Sequence, residues 1–284
     1  MAIEPTRLAI SVAMCTRNGS RFVRQQVASI LDQTIPVSQL VVSDDASADD
    51  TVAVIRDVVA ASGADIELVV LSNVSPLGVT ANFDQALRHC TGDLVALCDQ
   101  DDEWLPDRIE EAVKHFAERE RMSLAFSDAV LIDQQGIQFA SSLLRVLRVS
   151  AGEREALRRG EALGVLLRRN VATGATIMIR RSLASRATPF PQAWVHDEWL
   201  AMVAALTGEA ALIDAPLIRY RQHGDNVIGA RSLTVGGGLG KLRAPRSERN
   251  DRLLRRAQAL SDWVEATQEV DHGQRVAVTQ KLAH

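Results

Sequence analysis

The chain has 284 residues, a length open to one large domain or two small ones, and its 46% hydrophobic and 24% charged residues exclude a disordered polymer. A net charge of −4 argues against a general nucleic-acid binder, and an aromatic content of 4% with one tyrosine argues against a stacking platform for single strands. Cys15, Cys90 and Cys98 lack metal-ligand spacing, no apolar stretch approaches the ~18 residues of a membrane span, and the N-terminus does not read as a secretory signal. The expectation is a soluble, cytoplasmic protein.

Leu8–Cys15 is a short continuous apolar run, as expected of a strand covered on both faces. Ser20–Gln33 follows with Phe22, Val23, Val27, Ile30 and Leu31 on one helical face. Leu40–Ser43 reads as a second strand, Asp49–Ala61 as a helix, Glu67–Leu71 as a strand and Val79–His89 as a helix. Leu94–Cys98 is a fourth strand and Pro106–Arg121 a long amphipathic helix with proline near its first turn. Strands and helices alternating at these lengths predict α/β architecture with parallel strands and right-handed crossovers. The second half is less regular: strands at Ser123–Ile132, Thr176–Ile179 and Ala211–Arg219, and helices at Glu153–Arg169 and Asp197–Thr207.

Acidic residues fall at informative places. The second strand runs into Asp44-Asp45 and the fourth into Asp99-Gln100-Asp101-Asp102. Both clusters sit at carboxyl ends of expected parallel strands, where open α/β sheets bind ligands. Five like charges gathered there would repel one another and raise their own pKa values unless a cation or donors compensate. A hard divalent ion, Mg²⁺ or Mn²⁺, is the simplest compensator, with one or two carboxylates and a substrate diphosphate completing its shell. A lone Asp-Asp pair is usually a solvated turn or a helix cap; two clusters on one sheet edge favour the ligand reading.

The runs SVAMCTRNGSRFVRQQVASILDQT, VVSDDASADDT and TGDLVALCDQDDEWLPDRIE resemble, in this order, the nucleotide-sugar domain of inverting family 2 glycosyltransferases. The DQDD-x-W form and the later YRQHGDNVIG are similar to the bacterial rhamnosyltransferase branch. The resemblance covers roughly residues 8–230 and implies a GT-A-type fold with a mostly parallel central sheet flanked by helices. It implies a nucleotide-sugar half (1–122) and an acceptor and catalytic half (123–230), and the change of composition after Gly229 marks a basic helical extension (231–284). The resemblance implies that Thr16 and Asn18 shape the nucleotide wall, that Asp45 with Asp44 accepts from the pyrimidine, and that Asp99 holds the ribose region. Asp101 of the DXD motif would ligate the metal, and Asp102 would contact the donor sugar, orient Asp101 or cap a helix.

Inverting transfer needs a base for the acceptor hydroxyl and stabilisation of the departing diphosphate. In His196-Asp197-Glu198-Trp199 the resemblance points to Asp197 as that base, with Glu198 as the rival; alone, a carboxylate in a first helical turn is usually only a dipole partner. Arg221 is a candidate diphosphate clamp, and His223 a third metal ligand or phosphate donor. Gly174 and, more weakly, Asn82 and Trp104 are candidates near the sugars. The donor implied is dTDP-rhamnose or a UDP-hexose, and the acceptor a bacterial surface polysaccharide or its lipid-linked precursor. Two readings compete: a sugar-nucleotide-binding subunit without catalysis, expected to lack Asp101 or Asp197, and a nucleotidyltransferase, expected to carry a Gly-rich basic loop near its N-terminus. GGGLGKL at 236–242 is no phosphate loop, since Val235 and Leu242 replace its first glycine and its Ser/Thr. No G-x-S-x-G or H-E-x-x-H is present.

Residues 241–256 carry seven basic and two acidic side chains. The pattern suits a peripheral contact with anionic lipid on the inner membrane face. The alternative is a helix that pairs with the acidic body of the same or another subunit.

Overall fold

A computed structural model describes residues 8–223 and 246–282. Strands β1 (Ile10–Thr16), β2 (Gln39–Asp44), β3 (Glu67–Ser72) and β4 (Leu94–Cys98) are joined by helices α1 (Val23–Leu31), α2 (Thr51–Ser62) and α3 (Val79–His89). They pair in parallel in the spatial order β3-β2-β1-β4, as the alternating pattern predicts. Their continuous apolar runs have the reason expected of strands covered on both faces. Ala13, Val41, Val95 and Leu97 point to one side, into a core built with Phe83 of α3. Val12, Met14, Leu40, Val42, Ala96 and Cys98 point to the other, against Val23, Val27 and Ile30 of α1 and Ile55 of α2.

The second half continues the sheet with mixed directions. After β5 (Glu103–Trp104) and α4 (Arg108–Glu118), β6 (Met122–Ile132) leads to β7 (Gln138–Ala140), a short helix α5 (Leu143–Val146), α6 (Ala151–Arg158) and α7 (Leu163–Leu166). Then come β8 (Ile177–Arg180), α8 (Arg181–Ala187), α9 (His196–Thr207) and β9 (Glu209–Arg221). β8 is antiparallel to both β4 and β6, while β6 and β9 run parallel, so the nine-stranded sheet has the order β3-β2-β1-β4-β8-β6-β9-β5 with β7 beside β6. This is a GT-A fold, a curled mixed sheet flanked by helices.

The expected helix Glu153–Arg169 is two helices. Gly160 adopts φ +83°, which ends the first, and an added Cβ there would lie 2.6 Å from Arg119 Nη2. The start of α6 is a capping box: Ser150 Oγ accepts from Glu153 N at 3.3 Å, and Glu153 Oε2 accepts from Ser150 N at 2.9 Å.

Beyond β9 the chain is described again in α10 (Arg246–Ala266) and α11 (His272–Leu282). Leu260, Val264, Val270 and Val278 of this hairpin are buried in the core around α9, and Trp263 packs edge-on against Trp199. This explains why residues Trp199–Leu206 are apolar all round and buried throughout. Among the described residues no helix is long and apolar enough to cross a membrane.

Candidate functional site

β1 feeds helices toward β2, whereas β4 lies on its other side, so a crevice opens between the carboxyl ends of β1 and β4. A cavity of about 790 Å³ occupies it, within the range of small-molecule sites. Three tied loops form one wall. Thr16 Oγ1 donates to Asp44 Oδ1 at 2.7 Å, and Ser47 donates to Asp44 through Oγ (2.6 Å) and N (2.9 Å). Asn18, at φ +50°, accepts from Ala48 N at 2.8 Å. Gln100 bridges to the main chain of Arg17, accepting from N at 2.8 Å and donating to O at 3.0 Å. The amide of Gln100 lies so close to Gly19 that a Cβ there would displace it and break its tie to Arg17. The variable position of Asp99-Gln100-Asp101 is therefore a structural tie.

Asp45 lines this wall and is buried. It accepts from Leu77 N at 2.5 Å and from Gly78 N at 3.1 Å, at the start of α3, which leaves lone pairs for a ligand donor. Asp44 lies behind it, committed to Thr16 and Ser47.

Asp99 and Asp101 line the floor. Burial pushes the Asp99 carboxyl up to about 7, helped by the charges of Asp101 and Asp197 and opposed by Arg108. Asp101 Oδ2 lies 2.6 Å from His223 Nε2. Asp102 does not line the cavity: Oδ1 accepts from Arg221 N at 2.8 Å, Oδ2 is buried without a partner among the described residues, and burial pushes its pKa well up.

Asp197 faces the floor from the first turn of α9. It accepts from Gly174 N at 3.2 Å and Glu198 N at 2.6 Å. Burial raises its carboxyl to about 6, against these donors and the Asn170 side chain. Gly174 lines the same wall, where an added Cβ would come within 2.8 Å of His196 Nε2.

The structure thus brings Thr16, Asn18, Asp45, Asp99, Asp101, Gly174, Asp197 and His223 to one cavity, with Asn82 beside them. It does not bring Arg221, Trp104 or Glu198 there. Arg221 is buried, donating to Asp101 O (2.7 Å), Asp133 O (3.1 Å) and Glu103 Oε1 (2.5 Å), so its guanidinium braces the loop under Asp101. Trp104 is buried beneath the Arg108 guanidinium, 4.0 Å from its ring centroid. Glu198 turns toward Arg256 of α10. Sequence reasoning passed over His196 and Asn170. His196 is buried, stacked on Phe83 with ring centroids 4.0 Å apart, and held neutral by burial, which lowers its pKa to about 3. Adjacency to Asp197 was the signal available for His196; none marked Asn170, whose place depends on the α7–β8 connection.

A hard cation fits the donor set. Asp101 and His223 offer oxygen and nitrogen donors side by side, next to the buried Asp99. Among the described residues no group of three or more His, Cys, Asp or Glu forms a complete cage, so a bound diphosphate and water would have to supply the other ligands.

EpsE of Bacillus subtilis, itself described only provisionally as a glycosyltransferase, is 28% identical over 134 residues, 47% of this chain and 48% of its own length. The Escherichia coli UDP-Glc:alpha-D-GlcNAc-diphosphoundecaprenol beta-1,3-glucosyltransferase WfaP is 26% identical over 119 residues, 42% of this chain and 45% of its own length. The chain thus spans about half the length of these curated relatives. Among solved structures, the mannosyltransferase PcManGT of Pyrobaculum calidifontis, in complex with GDP-Man and Mn²⁺, superposes with a TM-score of 0.62 at 21% identity, covering 99% of this chain and 71% of that one. TarS of S. aureus in complex with UDP gives 0.59 at 14% identity, covering 97% and 87%; these likenesses concern the fold. Residues 11–184 match the family described as Glycosyl transferase family 2, and the chain belongs to that family.

Proposed function

We propose that this chain transfers a glycosyl group from a nucleoside-diphosphate sugar to a hydroxyl of a glycan or lipid-linked acceptor, inverting the anomeric carbon. The carrying observation is the convergence of Asp45, the Asp101–His223 pair and buried Asp197 on one cavity. Asp45 would accept the imide N–H of a pyrimidine, a contact uracil and thymine share, so UDP-hexose and dTDP-rhamnose both satisfy it. The name of WfaP, with its UDP-Glc donor, lends support to the former. Asp101 and His223 would hold Mg²⁺ or Mn²⁺, which when bound supplies positive charge to the diphosphate. Asp99 would hold the ribose region, and Thr16 and Asn18 the nucleotide wall through the loop they tie. Asp197 would take the proton of the acceptor hydroxyl; its position in the first turn of α9, held by Gly174 N, keeps one carboxylate oxygen in a fixed direction.

A non-catalytic subunit is the poorer reading, because base and metal-ligand candidates are both present and converge. The exposed stretch of α10, where Arg252 and Arg255 lie with Leu253 and Leu254, supports a contact with anionic lipid near a lipid-linked acceptor; Lys241 and Arg243 of that basic run lie outside the described residues. The test of the reaction is Asp101→Ala. Calorimetry should show sugar-nucleotide affinity lost chiefly when Mg²⁺ or Mn²⁺ is present, and transfer should be abolished. Full wild-type turnover in excess chelator, or product of retained configuration by NMR, would overturn the proposal.

A further inference from the structure

Glu198 and Asp197 share the first turn of α9 but face different surroundings. The Glu198 carboxylate meets Arg256 of α10, Oε2 to Nη2 2.7 Å, with the two side chains 21% and 26% exposed. The Arg256 guanidinium also lies over the Trp194 indole, 4.3 Å from the ring centroid, and the main-chain carbonyl of Arg256 accepts from Trp194 Nε1 at 3.0 Å. Trp194 packs on Trp199 and directly precedes Val195, the cap of α9. One residue of α10 therefore grips both the entry to α9 and its first turn. It is held there by its own helix: Leu260 and Val264, one and two turns further along the same stripe, are buried in the core around α9.

We propose that Arg256 is a positioning residue for glycosyl transfer, fixing the first turn of α9 and balancing the charge of Glu198 beside Asp197. The inference rests on Asp197 being the base of the reaction proposed above. Among the described residues the charged and titratable groups involved are these. Glu198 faces Arg256, Arg252 and Asp197. Asp197 faces Glu198, Asp99 across the floor and Tyr220 of β9, with neutral His196 beside it. Burial already pushes the Glu198 carboxyl up, and Arg256 opposes that shift most strongly. Without Arg256, two neighbouring carboxylates would share a poorly solvated turn with, among the described residues, Arg252 left to compensate, and the pair would hold a proton to higher pH.

The experiment is Arg256→Gln, read by kinetics and by ¹³C NMR titration of the Asp197 carboxyl. Turnover should fall on the order of 10-fold through misplacement of the base, while calorimetric affinity for the sugar nucleotide stays within about 2-fold. The acid limb of the pH–rate profile and the carboxyl titration should both move up by roughly half to one pH unit. Arg256→Lys, which keeps the charge, should leave both near the wild-type position, and Glu198→Gln in the Arg256→Gln background should return them there. If circular dichroism shows that Arg256→Gln does not fold, Glu198→Gln alone carries the test, because removing the anion beside Asp197 should lower its titration. A loss of turnover with an unmoved titration would mean that Arg256 merely packs α10, and would overturn the proposal, as would indifference of both readouts. The titration needs no turnover: a wild type inactive with every sugar nucleotide offered sinks the reading of the reaction, whereas an unmoved titration sinks the link through Arg256.

Discussion

At the residue scale, burial differentiates the carboxylates of the site. Asp44 and Asp45 are adjacent in the chain, yet one ties two loops and the other faces the cavity. Asp197, raised to about 6, is ionised at neutral pH and still basic enough to take a proton. Asp197→Asn should therefore cut turnover by ~10²–10⁴ with sugar-nucleotide affinity nearly unchanged. The wild-type rate should fall with acid below about pH 6, a limb missing from the residual activity of the variant. A severe Glu198→Gln with a mild Asp197→Asn would reassign the base. Asp99 carries a stability signature. Its folded pKa of about 7 lies above the ordinary carboxylate value, so the folded state binds its proton more tightly and stability falls as pH rises from about 4 to 7. Asp99→Asn should raise stability by on the order of 1–3 kcal/mol at pH 7.5, with no gain at pH 4. Thermal melts at the two pH values check the sign.

At the element scale, the decisive contact is that of α9 with the C-terminal hairpin. A helix apolar all round needs cover on every side, and Leu260, Val264 and Trp263 supply the side that the sheet does not. Leu260→Ala should cost about 2–4 kcal/mol, read as a lower denaturant midpoint with unchanged slope. A cost near zero would mean that the hairpin docks only loosely. The apolar run Trp199–Leu206 was readable as a helix, but what covers it was not, because the covering residues follow a basic stretch whose composition suggests a solvated face. The capping box of α6 was legible in Ser150–Glu153, and Gly160 marked where that helix ends; the expected helix began inside the box, at Glu153, and ran through Gly160.

At the scale of the whole molecule, charge is unevenly placed. The basic stretch splits between two uses: Arg256 turns inward to Glu198, whereas Arg252 and Arg255 are exposed. The lipid contact can be tested without disturbing the core by replacing Arg252 and Arg255 with Gln while leaving Arg256 in place. Co-sedimentation with vesicles containing anionic lipid should fall with salt and drop several-fold in the double variant. Equal binding to neutral vesicles would remove the electrostatic proposal.

The sequence by itself determined the first half of the fold and the sheet edge on which the carboxylates gather. Continuous apolar runs of strand length, alternating with amphipathic helices, allow little but a covered parallel sheet, and Asp44-Asp45 and Asp99–Asp102 must then emerge at its carboxyl ends. Motif order in Thr16–Asn18, Asp44–Ser47 and Asp99–Asp101 carried the family. Only the tertiary structure decided which member of each acidic cluster faces the cavity, that Arg221 braces a loop from below, and that Glu198 belongs to Arg256. The physical reason is the same in each case. A side chain's direction and solvation depend on elements distant in the chain, here β9 beneath the Asp101 loop and α10 over the start of α9, and local sequence carries no record of those neighbours.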